Sequence, residues 1–131
     1  MDEKAIKKEI ENSKCDNFIF SAESLINFDK TELNRIKDFM NELIENCEIK
    51  IVICVREYIS YITSVIQERI KSNIASEKSQ IKNITKNYNN VYMFIQNFFD
   101  VFGNVNVIIY KFEDGIKHKR GPVDYFFEKV N

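Results

Sequence analysis

An arginine and two serines follow the most apolar stretch of the chain, at spacings that suit the binding of an anion. Residues 49–55, IKIVICV, form a nearly continuous β-branched run that is typical of a strand covered on both faces in a parallel sheet. Arg56 comes directly after this run, and Ser60 and Ser64 lie about one and two turns into the helical pattern that follows. A guanidinium beside the unpaired N–H groups of a helix N-terminus attracts phosphate. The sequence therefore predicts a local phosphate site. The alternative, which residue types alone favour, is that Arg56 pairs with a carboxylate such as Glu57 and that the serines are solvated.

The composition indicates one globular domain with little net charge. A length of 131 residues suits a single domain over 1–131, with 44% hydrophobic and 30% charged residues. Nineteen basic and twenty acidic residues give a net charge of -1, so we expect no nucleic-acid partner. The three cysteines form neither a CxxC pair nor an even disulfide set, which indicates a reducing compartment and argues against a metal site. Without a signal-peptide core or a membrane-length apolar run, the sequence predicts a cytoplasmic protein with no membrane partner.

Helical and strand periodicities alternate along the chain, which predicts an α/β fold. Strands are expected at 17–21, 49–55 and 105–110, and helices at 2–13, 30–46, after Arg56, at 88–102 and from Pro122. Residues 72–85 are expected to form a surface loop, either mobile or with a helical turn, and residues 112–114 are expected to end the third strand rather than to do chemistry. The alternation predicts a three-layer, sandwich-like arrangement with a short, mainly parallel sheet flanked by helices. Ligands of such sheets bind outside the carboxyl ends of the strands, where Arg56 and the segment SAES (21–24) are expected.

The ordered segments resemble bacterial sulfotransferases that use 3'-phosphoadenosine 5'-phosphosulfate (PAPS). A strand that ends in Arg56, with Ser64 eight residues later, resembles the 3'-phosphate-binding element of that family. The segment NFIFSAES resembles its early strand ending in Ser-Ser-Glu, and IVICVREYISYITSVIQERIKS resembles its next strand and helix. The segments NYNNVYMFIQNFFDVFGNVNVIIYKFED and GPVDYFFEKV resemble its later helix, strand and closing helix, so the similarity covers about residues 17–130.

The resemblance implies a function and assigns roles to individual residues. It implies a partial P-loop-NTPase-like sulfotransferase fold that binds PAPS or its product adenosine 3',5'-bisphosphate and transfers sulfonate to a hydroxyl, with a carbohydrate as the expected acceptor. Arg56 and Ser64, with Ser60 beside them, would bind the 3'-phosphate, and Glu23 would take the proton of the acceptor hydroxyl as the catalytic base. The alternative for Glu23 is a surface glutamate in a loop or at a helix N-terminus. His118, in the basic run KHKR, could contact a phosphate, although a solvated loop is the commoner role of such a run.

One element of the family pattern has no counterpart in this sequence. The family begins with a strand and a loop containing glycine and lysine that holds the 5'-phosphosulfate, whereas the glycines here are Gly103, Gly115 and Gly121. We therefore expect either a piece of a larger sulfotransferase or a small protein that has lost catalysis. The rival hypothesis is a non-catalytic α/β binding or protein-interaction module. Since a sheet that lacks a strand leaves an unpaired edge, we also expect self-association into a homo-oligomer.

Overall fold

The structure, a computed structural model, describes residues 3–72 and 78–130, without side-chain detail for Arg69 and 78–89. Within these ranges the chain contains six α-helices and a two-stranded sheet. The elements are α1 Glu3–Asn12, α2 Lys30–Leu43, β1 Ile51–Val55, α3 Tyr58–Lys71, α4 Lys78–Phe102, β2 Val107–Lys111, α5 Phe112–Lys117 and α6 Pro122–Val130. The expectation of a mixed α/β fold is confirmed. No helix among the described residues combines the length and the apolar character needed to cross a membrane.

Local sequence signals set several helix boundaries. The Asp29 side chain accepts a hydrogen bond from the Glu32 N–H, and the Glu32 carboxylate accepts one from the Asp29 N–H, each at 2.9 Å. This reciprocal capping box begins α2 one residue after Asp29, as the spacing of the two acidic residues predicts. Gly103 follows α4 with a φ of 84°, a backbone conformation that favours glycine. Pro122 occupies the first position of α6, where its missing N–H has no helical partner to lose.

The two strands pair in parallel and share one side of the core. Ile51 lies opposite Val107 and Val55 lies opposite Lys111, so both strands end at the same edge of the sheet. Leu33 of α2 is only 1% exposed and belongs to a buried cluster with residues from both strands and from α4. The members of this cluster are Leu33, Ile53, Phe98, Val101, Phe102 and Val107. Because α4 supplies three of them, it joins α2 to the sheet.

The expectation of a strand at residues 17–21 is wrong. These residues lie in no strand or helix, and the side chains of Ile19 and Phe20 are 63% and 44% exposed. A short apolar run indicates strand propensity, but a strand also needs a neighbour that completes its hydrogen-bond ladder. The described part of the chain therefore forms a parallel sheet of two strands instead of the three that were expected.

Several other boundaries differ from the sequence-based expectation, and at two of them the kind of element changes. α4 begins at Lys78, so residues 78–85 are helical rather than a loop, and residues 73–77 lie outside the described ranges. β2 ends at Lys111, and the three residues expected to end that strand open α5 instead. Glu113 and Asp114 fall in the first turn of α5, where carboxylates interact favourably with the helix dipole. This change of element places residues 112 and 113 beside the end of β1.

Candidate functional site

A surface groove of about 440 Å³ lies where β1 ends, between the first turns of α3 and the residues of α5. Its volume falls within the range of small-molecule sites, and its position is the one that ligands of parallel sheets usually occupy. The described side chains that line it are Arg56, Ile59, Ser60, Thr63, Ser64, Gln67, Phe112, Glu113 and Ile116. Three of the four residues that the sequence analysis assigned to the site, Arg56, Ser60 and Ser64, are therefore brought together.

Arg56 is held by contacts from two different elements. Its Nη1 donates a hydrogen bond of 2.9 Å to Ser64 Oγ, two turns along the adjoining helix. Its guanidinium carbon lies 4.1 Å from the centre of the Phe112 ring, a distance typical of a cation–π contact. The sheet register explains this second contact. Val55 pairs with Lys111 at the end of the two strands, and Arg56 and Phe112 are the residues that directly follow them. The arginine is consequently restrained by both α3 and α5.

Glu113 brings a negative charge into the same groove. Its Oε1 accepts a hydrogen bond of 3.2 Å from the Glu57 N–H, which precedes α3. Desolvation would raise the pKa of this carboxyl, but hydrogen bonds from the Glu113 and Glu57 backbone N–H groups and the Ser60 hydroxyl, with the charge of Arg56, outweigh it. The net result is a lowered pKa. Glu113 is thus a carboxylate at neutral pH, and it offsets part of the positive charge of Arg56.

The carboxylate that acts on Arg56 is distant in sequence. The sequence-based alternative paired Arg56 with its neighbour Glu57, whereas the Glu57 carboxylate lies 3.8 Å from the Nζ of Lys111. Sequence reasoning assigned Glu113 to the end of a strand and so missed its place in the groove. The signal that could have found it is topological: Glu113 closely follows the second parallel strand, and the carboxyl ends of parallel strands share one edge of a sheet.

Glu23, the predicted catalytic base, is not part of this groove. It is exposed and opens a 3-10 turn at Glu23–Asn27, which packs against α4. The groove lining among the described residues does not include it. The structure therefore separates the predicted base from the lining of the groove that contains Arg56, Ser60 and Ser64.

The other notable groove, of about 340 Å³, lies near the opposite ends of the strands. Its lining includes Lys37, Cys47 and Ile49, which precedes β1. The Nζ of Lys37 donates a hydrogen bond of 2.8 Å to the carbonyl oxygen of Val101, in the last turn of α4. Lysine in that position satisfies a helix C-terminal carbonyl, which is a structural role. Lys37, the one cation among the described lining residues of this groove, is therefore engaged by the backbone of α4.

The basic run that contains His118 forms contacts within the protein. His118 Nε2 lies 3.2 Å from Glu128 Oε2, and Arg120 donates from Nη2 to Glu128 Oε1 at 2.7 Å. Arg120 also pairs with Asp124 at 3.4 Å. These contacts join the loop before α6 to α6 itself, so the run stabilises the end of the fold and lies outside the groove at Arg56.

No protein-family model, curated protein or solved structure matches this chain. Its function must therefore be argued from the groove at the end of β1.

Proposed function

We propose that this groove binds the 3'-phosphate of a nucleotide and that the chain is a sulfotransferase-like domain whose ligand is PAPS or adenosine 3',5'-bisphosphate. The observation that carries the proposal is the 2.9 Å hydrogen bond from Arg56 to Ser64 at the carboxyl end of β1. This bond shows that Arg56 and Ser64, the two residues of the pattern that resembles a phosphate-binding element, are in direct contact. An arginine held in place before the ligand arrives loses less side-chain entropy when it binds phosphate, which strengthens binding.

The chemistry of the groove suits a phosphate group. A guanidinium is a planar cation whose N–H donors match the oxygens of a phosphate in geometry, and Arg56 presents this group in the groove. Ser64 accepts this bond, so the proton of its own hydroxyl can be donated to an anion. The groove also lies beside the N-terminus of α3, a helix of 14 residues whose dipole favours negative charge there. Arg56 and Ser64 act at the same place and favour an anion over a neutral ligand, whereas at the start of α3 the Glu57 N–H already donates to the Glu113 carboxylate.

Sulfonate transfer is the reaction that we assign to the complete site, with a hydroxyl, expected to be that of a carbohydrate, as acceptor and Glu23 as base. The reaction needs strong charge stabilisation around the 5'-phosphosulfate, and the sequence offers no glycine- and lysine-containing loop to provide it. We therefore expect this chain to bind the nucleotide without measurable transfer of sulfonate.

Calorimetry with adenosine 3',5'-bisphosphate tests the proposal. The change Arg56→Ala removes the charge-assisted hydrogen bonds to phosphate, so we expect a loss of affinity of roughly ten- to a hundredfold. Arg35→Ala is the matched control, because Arg35 is exposed on α2 and does not line the groove. Circular dichroism of both variants verifies that they are folded. Absence of binding, or binding that Arg56→Ala leaves unchanged, would refute the nucleotide proposal.

The second candidate function is a non-catalytic interaction module. Ile19 and Phe20 favour it, because both are exposed apolar side chains in a segment outside the sheet. A sheet of two strands also leaves its outer edges without a strand partner among the described residues. Under this hypothesis the chain would associate with itself or with another protein through these surfaces, and nucleotide binding would be absent.

A further inference from the structure

We propose that the ligand of the groove at Arg56 is a phosphate monoester carried on an apolar group, and that a second phosphate on the same ligand adds no affinity. This inference rests on the proposed function, because it takes Arg56 and Ser64 as the anion site. It goes further by assigning the remainder of the groove to the uncharged part of the ligand.

The charges of the groove limit the number of phosphates that it can neutralise. Among the described side chains of its lining, Arg56 is the single cation and Glu113 is the single anion. Glu113 has a lowered pKa and is ionised at neutral pH. A first phosphate can bind Arg56 directly, whereas a second phosphate in the same groove would meet the Glu113 carboxylate without a further cation. The negative charges of the second phosphate and of the Glu113 carboxylate would repel one another within the groove.

The apolar side chains of the groove define the other half of the ligand. Ile59 of α3 is 77% exposed and Ile116 of α5 is 58% exposed, and both line the groove together with Phe112. Exposed isoleucines on two different elements offer apolar contact from both α3 and α5. A ligand group that contacts both would cover apolar surface that is now in water, which is favourable at about 25 cal/mol per Å². The volume of about 440 Å³ accommodates such a group with one phosphate, and the ring and phosphate of a nucleoside monophosphate are one example.

A comparison of three ligands at fixed pH and salt tests the inference. Adenosine 3'-monophosphate and adenosine 3',5'-bisphosphate should bind the wild-type protein within about twofold of one another by calorimetry, since the described lining offers a second phosphate no cation besides Arg56. Inorganic phosphate, measured by competition against the nucleotide, should bind at least about tenfold more weakly because it lacks the apolar group. Binding of the bisphosphate more than about tenfold tighter than the monophosphate would overturn the inference.

Substitutions of the two isoleucines test the apolar half separately. Ile59→Ser and Ile116→Ser should each weaken the binding of adenosine 3'-monophosphate about fivefold and leave that of inorganic phosphate unchanged. Ile70→Ser is the matched control, because Ile70 is 61% exposed on α3 and does not line the groove. All three side chains are largely exposed, so the core stays intact.

The possible failures are distinguishable. If binding depends on Arg56 but is indifferent to Ile59 and Ile116, the proposed function stands and this inference is wrong. If none of the three ligands binds, or if Arg56→Ala has no effect on their binding, the proposed function and this inference are both wrong.

Discussion

Replacing Glu113 with glutamine should strengthen the binding of an anion in the groove. The carboxylate is ionised at neutral pH and acts on Arg56, so it opposes any phosphate that binds there. We take a separation of roughly 7 Å between the phosphate and the carboxylate. Coulomb's law then predicts that removing the repulsion between one pair of unit charges raises the affinity about threefold at the dielectric constant of water. At an effective dielectric constant of about 20 the predicted gain is about fiftyfold. The groove is open to solvent and salt screens the repulsion, so we expect a gain of about fivefold at pH 7.5.

Glutamine keeps an oxygen that can accept the hydrogen bond from the Glu57 N–H, so the start of α3 should stay in place. The assay is calorimetry with adenosine 3'-monophosphate at low and high salt, and the gain should shrink as salt rises. Glu48→Gln removes the same charge from a carboxylate before β1, outside this groove, and should change affinity little. A Glu113→Gln variant that binds the nucleotide more weakly than the wild type would refute the electrostatic argument, because it would mean that the carboxylate orders the site.

Three further predictions concern stability and association. Leu33→Ala should lower the free energy of unfolding by about 2–5 kcal/mol in urea denaturation, because it leaves a cavity where a side chain is only 1% exposed. A loss below about 1 kcal/mol would contradict the placement of Leu33 in the core. The hydrogen bond from Arg120 holds the pKa of Glu128 below its usual value of 4.5, so the stability that this contact adds is complete above that pH and is lost as the pH falls through the lowered pKa. The urea midpoint of Arg120→Ala should thus fall below that of wild type at pH 7 and approach it at pH 3, and an equal difference at both would count against the contact. Light scattering at high protein concentration should show self-association that Ile19→Lys reduces, and a wild-type protein that stays monomeric would argue against association through that segment.

The features that sequence predicted correctly depend on short-range rules. The capping box of Asp29 and Glu32 spans three residues, and it begins α2 where the pattern requires. Arg56 and Ser64 belong to one strand–helix junction, so helical periodicity alone places the serine two turns along and near the arginine. Both predictions succeeded because every contact they need lies within eight residues of chain.

The features that sequence missed depend on pairing between distant segments. Residues 17–21 have the composition of a strand, but no local pattern states which neighbour would complete their hydrogen bonds. Glu113 was assigned to a strand end, since the sequence does not show that β2 stops at Lys111 and that α5 begins directly after it. The roles assigned to Glu23 and to the nucleotide remain predictions, because they derive from the resemblance; Glu23 lies outside the described lining of the groove, and the Arg56–Ser64 bond fits a phosphate site without testing one.

The contact between Arg56 and Phe112 makes the candidate site a consequence of the sheet register. Val55 lies opposite Lys111, so the residues that follow in the two strands leave the sheet side by side. A slip of one residue would turn every side chain of one strand to the other face, which would move the ring away from the guanidinium. The register is fixed by burial, since Ile53 and Val107 are each 8% exposed within the core. The apolar strand interior and the charged strand end are therefore parts of one arrangement, because the same pairing that buries the isoleucine and the valine also places the arginine beside the Phe112 ring.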